Sequence, residues 1–180
     1  VALAEAAELP GEQIRSLIKG ALLHDVGKLG IRDNVLLKPG KLDNDEFATM
    51  KTHVVHGMDI TARAGWLTDT RDGVGGHHEK YDGAGYPHGL TGTDRPVNAR
   101  IFAIADVFDA LTSRRPYKEP LSFDATMEIM NQGRGSHFDP TLLTAFAEIA
   151  RDLYTEYGEQ DDDRAQQHLE SLNQKYFRSD

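Results

Sequence analysis

Residues 77 to 87 read HHEKYDGAGYP, a stretch that forces the chain to turn directly beside two adjacent histidines. Gly83, Gly85 and Pro87 cannot continue a helix, so the backbone must change direction behind the imidazoles. Successive helical side chains point about 100° apart and cannot share one buried face, which makes an HH pair a poor packing unit. Two such imidazoles can instead flank a metal centre, each donating a nitrogen.

A second histidine-bearing segment lies upstream in ALLHDVGKLG, residues 21 to 30. Residues 11 to 25 have the spacing of an amphipathic helix. Ile14, Ile18 and Ala21 form one stripe, and Asp25 continues it. A carboxylate ending an apolar stripe is costly unless a cation or several donors satisfy it, the alternative being a helix-terminal Asp turned to water. Gly27 is expected to end this helix, with Lys28 placed where a cation meets an anionic ligand.

The remaining pattern is almost entirely helical. Residues 44 to 64 form one helix opened by a capping box, Asp43 with Glu46, and Phe47, Met50, Val54 and Met58 make its core stripe. His53 flanks that stripe. His56 points away and reads as a solvated imidazole. Residues 96 to 113 make a helix burying Val97, Ile101, Ile104, Phe108 and Leu111. By that periodicity Asp106 faces away from the core and reads as a surface charge. Further helices are expected at 69 to 78, at 123 to 133 after Ser122, and at 140 to 157. The last is marked by Asp139 as N-cap, Pro140 at the first position and Gly158 beyond the end. Residues 26 to 43 and 79 to 96 read as long Gly/Pro-containing loops, of the kind that often carry function. Trp66 reads as a core anchor. Glu79 is read either as a partner orienting an imidazole or as a solvated turn residue. His137 is expected to make a structural hydrogen bond near a helix cap, and His88 and His168 lie on the surface. Tyr117 could stack on a base or pack beside Pro116.

Composition removes several function classes. The chain has no cysteine, so disulfides and thiolate metal sites are excluded, and a reducing cytoplasm suits it. A net charge of −9 argues against a general nucleic-acid binder. No apolar run approaches the roughly 18 residues of a membrane span, and there is no signal peptide pattern. At 180 residues the chain is long enough for one domain with a real core. We assign residues 1 to 158 to that domain and 159 to 180 to an acidic C-terminal tail, helical or disordered, suited to interaction or linkage.

Taken in order, His24-Asp25 with Gly27-Lys28, the KTH ending at His53, HHEKYDGAGYP, IADVFDALTSRRPYK and GSHFDP resemble the HD-GYP family. The resemblance runs from about residue 11 to residue 150. That family is a branch of the HD superfamily of metal-dependent phosphohydrolases whose members hydrolyse the second messenger cyclic di-GMP. It implies an all-α HD-domain helical bundle with a GYP loop and long active-site loops. Its metal ligands fall on His24, Asp25, His53, His77, His78 and Asp106, with Asp25 bridging two ions and counted, with Lys28, as catalytic. Lys28, Arg115 and Lys118 match positions that contact substrate phosphate, and Gly85, Tyr86 and Pro87 form the loop bordering the pocket. Arg114 stands where many relatives carry Asp.

The implied chemistry is phosphodiester cleavage by a hydroxide shared between two metal ions about 3.5–4 Å apart, giving linear pGpG or GMP. Two or three divalent transition-metal ions are implied. Imidazole and carboxylate ligands without sulfur suit iron or manganese, with zinc as the alternative. Implied partners are cyclic di-GMP, an upstream regulatory domain, other signalling proteins docking on the GYP loop, and a second copy in a homodimer. The family places a further His, in some members a Glu, on a preceding helix. None of the nine residues before Pro10 is His and the first residue is Val, so the chain reads as a fragment lacking that helix. Two other classes stay open: a non-catalytic sensor or scaffold, and an HD phosphohydrolase acting on a different nucleotide.

Overall fold

The computed structural model describes residues 1–114, 119–157 and 162–178. They run through α1 (Ala2–Ala6), α2 (Gly11–Leu23), a 3₁₀ turn (Val26–Gly30), α3 (Asp33–Leu36), α4 (Asn44–Lys51) and α5 (His53–Ala62). A second 3₁₀ segment (Gly65–Thr70), α6 (Arg71–Gly76), a third (Gly92–Asp94), α7 (Val97–Thr112), α8 (Phe123–Gln132), α9 (Pro140–Tyr157) and α10 (Asp162–Phe177) follow. Among the described residues there is no strand, so the fold is the expected all-α bundle.

Helix α7 is the central rod. Ile101 and Ile104 enter the main core with Ile14, Leu17, Met130, Phe138, Leu143 and Phe146. Each such side chain, once buried, contributes about 1.5–3 kcal/mol. Ala99 and Ala103 are buried as well, outside that core, and Phe102, a member of the core, also touches the His24 ring. The burial of these residues corrects the reading of Asp106 as a surface charge: it is partly buried, one turn beyond Phe102, while Ala105 and Asp109 form the exposed strip of the helix.

Local chemistry explains the ends. Asp43 accepts hydrogen bonds from the Asp45 and Glu46 amides at 3.0 and 2.9 Å, and Glu46 accepts from the Asp43 amide at 2.8 Å, so the capping box forms. Asp139 caps α9 through the Thr141 and Leu142 amides and binds Arg100 at 2.6 Å with its other oxygen. The expected single helix 44 to 64 is divided at Thr52, whose hydroxyl donates to the Thr49 carbonyl and competes with the helical ladder.

The loop between residues 26 and 43 contains a 3₁₀ turn and α3, and the one between 79 and 96 a short 3₁₀ turn, so neither is structureless. Helix α2 ends at Leu23, four residues before Gly27, which has a different task. A Cβ on Gly27 would lie 1.8 Å from the His53 carbonyl oxygen and 2.4 Å from the Gly57 amide nitrogen. The 3₁₀ turn and α5 therefore cross backbone to backbone. Trp66 is 72% exposed and anchors no core. His56 is not fully solvated, for its ring lies against Gly30. Helix α10 turns back on the body, where Lys175 and Tyr176 both hydrogen-bond Glu5.

Candidate metal centre

Three histidines are held by the same device. His24 follows the last residue of α2, His53 opens α5 just after α4, and His77 follows α6. The last carbonyls of a helix have no partner within it. Here the imidazoles use carbonyls from those final turns: His24 Nδ1 donates to Ala21 O at 2.7 Å, His53 Nδ1 to Met50 O at 2.7 Å and His77 Nδ1 to Val74 O at 2.8 Å. A carbonyl can only accept, so each ring carries a proton on Nδ1, which leaves the Nε2 lone pairs of His53 and His77 to face the site, whereas the Nε2 of His24 is turned to the Asp25 carboxylate.

Those lone pairs converge. His53 Nε2 lies 3.2 Å from His77 Nε2, and the Asp25 carboxylate reaches His24 Nε2 at 3.3 Å and His53 Nε2 at 3.6 Å. The backbone crossing at Gly27 brings Asp25 to His53. One ligand atom from each of His53, His77 and His78 falls within 4.8 Å of the others, so these three could hold a metal ion. The His78 ring centre is 4.2 Å from that of His77 and 5.1 Å from that of His53. Phe102 closes the floor, 4.9 Å from the His24 ring. Asp106 is close enough that its charge helps raise the His24 pKa.

The protonation states suit metal binding. Burial lowers the His77 pKa to about 3, with the His78 charge acting the same way. His78 falls to about 4 for the same leading reason, and His53 is lowered too. His24 moves the other way because of its bond to Asp25. Burial alone would raise the Asp25 carboxyl, but bonds from His24 and Lys28 outweigh it and hold the group well below the carboxylate range. At neutral pH His53, His77 and His78 therefore offer neutral imidazoles and Asp25 an anionic carboxylate, the forms that bind metal. Lys28 Nζ sits 2.6 Å from Asp25 Oδ2.

Glu79 contradicts both sequence readings, since it is fully buried and reaches no imidazole by a hydrogen bond. One oxygen accepts from the amides of His88 and Gly89 at 2.7 and 3.1 Å, the other from Leu90 at 3.1 Å. This anchors the far end of the Gly85-Tyr86-Pro87 loop. Its near end is fixed by Gly85, where a Cβ would lie 2.3 Å from the Lys80 amide nitrogen, and by a Tyr86 amide bond to the His78 carbonyl at 3.2 Å. The loop consequently lays Tyr86 on His78, ring centres 4.7 Å apart and 28° from parallel. Burial, with the Asp25 charge, raises the Tyr86 pKa to about 12, so its hydroxyl stays protonated. Arg95, also buried, faces the charges of Glu79 and Asp139, which oppose the effect of burial on its guanidinium. No local sequence signal marked Glu79 as a loop anchor, because its three partners are backbone amides nine to eleven residues away.

The site residues thus divide. His24, Asp25, His53, His77 and His78 are brought together, with Asp106 on the adjoining face of α7 and Lys28 on Asp25. Gly85, Tyr86 and Pro87 border the cluster through the stack on His78. Arg115 and Lys118, like Tyr117, lie outside the described residues. Arg114 pairs with Glu119 at 3.2 Å. His137 stacks on Phe138, and its backbone carbonyl accepts bonds from Tyr81 and Arg95.

Known proteins place the chain further. The HD domain family model matches residues 2–142. A probable cyclic di-GMP phosphodiesterase of Vibrio cholerae is 50% identical over 141 residues, covering 74% of this chain and 32% of that protein. The cyclic di-GMP phosphodiesterase response regulator RpfG of Xanthomonas campestris is 45% identical over 150 residues, covering 79% and 38%. The chain spans about a third of the length of these curated relatives. A crystal structure of a cyclic GMP-AMP specific phosphodiesterase of V. cholerae superposes with a TM-score of 0.74 over 99% of this chain and 48% of that one. At 18% identity that likeness speaks for the fold.

Proposed function

This chain belongs to the HD domain family and carries the HD-GYP motifs, and we propose that it is the catalytic domain of a metal-dependent phosphodiesterase hydrolysing cyclic di-GMP. The observation that carries this reading is the convergence of Nε2 atoms on the Asp25 carboxylate, with each Nδ1 occupied by a helix-end carbonyl. Such a donor set of imidazole and carboxylate fits iron or manganese.

His24, Asp25, His53, His77, His78 and Asp106 would hold two ions, Asp25 between them. Bound ions would supply Lewis acidity, activating water and neutralising charge on the phosphoryl oxygens. The chain's own residues do the rest. Lys28 carries three ammonium hydrogens, and the bond to Asp25 takes one, leaving donors for a non-bridging phosphate oxygen. Arg115 and Lys118 would hold further phosphate oxygens. Tyr86, held on His78 by the loop and protonated, supplies a donor at the mouth. The absence of cysteine and of any described helix long and apolar enough to cross a membrane agrees with a cytoplasmic place of work.

The test is product chromatography with anaerobically iron- or manganese-loaded protein and a panel of cyclic di-GMP, 3′,3′-cyclic GMP-AMP and guanosine tetraphosphate. Release of linear pGpG or GMP from cyclic di-GMP is expected. Tight binding of cyclic di-GMP without turnover would instead identify a sensor, and turnover of another nucleotide alone would overturn the substrate.

A further inference from the structure

Helix α4 buries none of its residues, yet it is firmly held at both ends. The capping box and a Lys38–Glu46 ion pair fix its start, and its Met50 carbonyl takes the Nδ1 proton of His53. Phe47 and Lys51, four residues apart, share one face of α4. Phe47 belongs to the expected core stripe, but the residue is 49% exposed. It meets the Tyr86 ring edge-on, centres 6.4 Å apart at 84°. Lys51 Nζ lies 5.3 Å from the centre of Phe47 and 5.8 Å from that of Tyr86. Since Tyr86 stacks on His78, a line of rings leads from the histidine cluster to Phe47, with one ammonium over its outer two members.

An aromatic face open to solvent beside an ammonium offers what a nucleotide needs: a surface for its base and a cation for its phosphate. Burial does not explain Phe47, which has no core to enter. Its place beside the cluster is set by α4, whose Met50 carbonyl is bound by the His53 ring.

We propose that Phe47 and Lys51 form a nucleotide subsite beside the metal centre, Phe47 stacking a nucleobase and Lys51 holding the phosphate joined to it. On the phosphodiesterase reading above, on which the identity of the ligand rests, this subsite receives the nucleotide of cyclic di-GMP that flanks the scissile bond. It determines affinity more than the chemical step, because neither residue reaches the histidine nitrogens.

Calorimetric titration of GMP and of ribose 5-phosphate into manganese-loaded wild type, Phe47→Ala, Phe47→Trp and Lys51→Met separates the two roles. Steady-state turnover of cyclic di-GMP by the same proteins is measured alongside. Phe47→Ala should weaken GMP about tenfold and leave ribose 5-phosphate unchanged, and Phe47→Trp should restore GMP binding. In a Trp66→Phe background, the fluorescence of Phe47→Trp should be quenched by GMP. Lys51→Met should weaken both ligands. For cyclic di-GMP, Phe47→Ala should raise KM about tenfold with kcat nearly constant.

Unchanged GMP affinity in Phe47→Ala, equal losses of GMP and ribose 5-phosphate, or no GMP binding by wild type overturns the subsite. Turnover of cyclic di-GMP combined with any of these leaves the phosphodiesterase reading standing alone. No turnover by wild type, together with the GMP pattern expected, removes that reading and keeps the subsite.

Discussion

His53 and His77 face each other Nε2 to Nε2 at 3.2 Å, each with its Nδ1 proton already given to a backbone carbonyl. Neither nitrogen facing the other has a proton to share while both rings are neutral. Two lone pairs so disposed repel unless a cation lies between or beside them. The folded backbone holds them there because the carbonyls of Met50 and Val74, in the final turns of α4 and α6, accept those Nδ1 protons.

Metal content should follow this geometry. After anaerobic preparation with iron or manganese, elemental analysis should find about two ions per chain, and His24→Ala, Asp25→Ala and His77→Ala should each lose them. Asp25→Ala should be the most severe, since its carboxylate reaches both His24 and His53. His56→Ala should keep its metal, because that ring packs on Gly30 outside the cluster. A metal-free wild type would refute the centre.

Gly27→Ala should damage stability and site together. The new Cβ would strike backbone at 1.8 Å, which no side-chain rotation relieves, so α5 and the 3₁₀ turn must separate. We expect a loss of about 3 kcal/mol or more in urea unfolding, and loss of metal because Asp25 leaves His53. Gly65→Ala is the matched control, since a Cβ there meets nothing within 4 Å, and it should stay within about 0.5 kcal/mol of wild type.

Replacing Glu79 with Gln tests the loop anchor. The substitution keeps the shape but turns one acceptor oxygen into a donor facing a backbone N–H. About 2–3 kcal/mol of stability should be lost, with faster hydrogen exchange at His88, Gly89 and Leu90. Unaltered exchange at those amides would mean that the carboxylate does not hold the loop.

Acid should destabilise the metal-free chain through the same histidines. Folding lowers the pKa of His77 from 6.5 to about 3 and that of His78 to about 4, so the unfolded chain binds more protons below pH 6.5. Their contribution is complete above pH 6.5 and is lost as pH falls towards 3. Asp25, whose pKa is depressed, adds to the loss once pH drops below the carboxylate's unfolded value. His24, whose pKa is raised, works in the opposite sense, its stabilisation fading as pH climbs through its folded value. The unfolding free energy should fall by roughly 1–2 kcal/mol per pH unit between pH 6 and 4. His77→Leu should flatten that slope, and an unchanged slope would show that His77 is not the neutral, buried group described.

Sequence alone determined most of the longer helices, several of their caps and the ligand types. Alternation, capping residues and turn-formers act locally, so Asp43 with Glu46, Ser122 and Asp139 could be read without knowing what they pack against. The ordered motifs around His24, His53, His77 and Asp106 named the family for the same reason: they are strings in the chain. What lay beyond the sequence was every contact made between elements. Periodicity assumes one buried face, so it sent Phe47 inward and Asp106 outward, whereas α4 buries nothing and α7 buries residues beyond its core stripe. Gly27 looked like a helix terminator until α5 was found crossing it, and Glu79 like either an imidazole's partner or a solvated turn residue until three amides from its own loop closed on it. Only the tertiary structure decides such cases, because burial and hydrogen-bond satisfaction belong to pairs of segments, and the chain does not record which segments will meet.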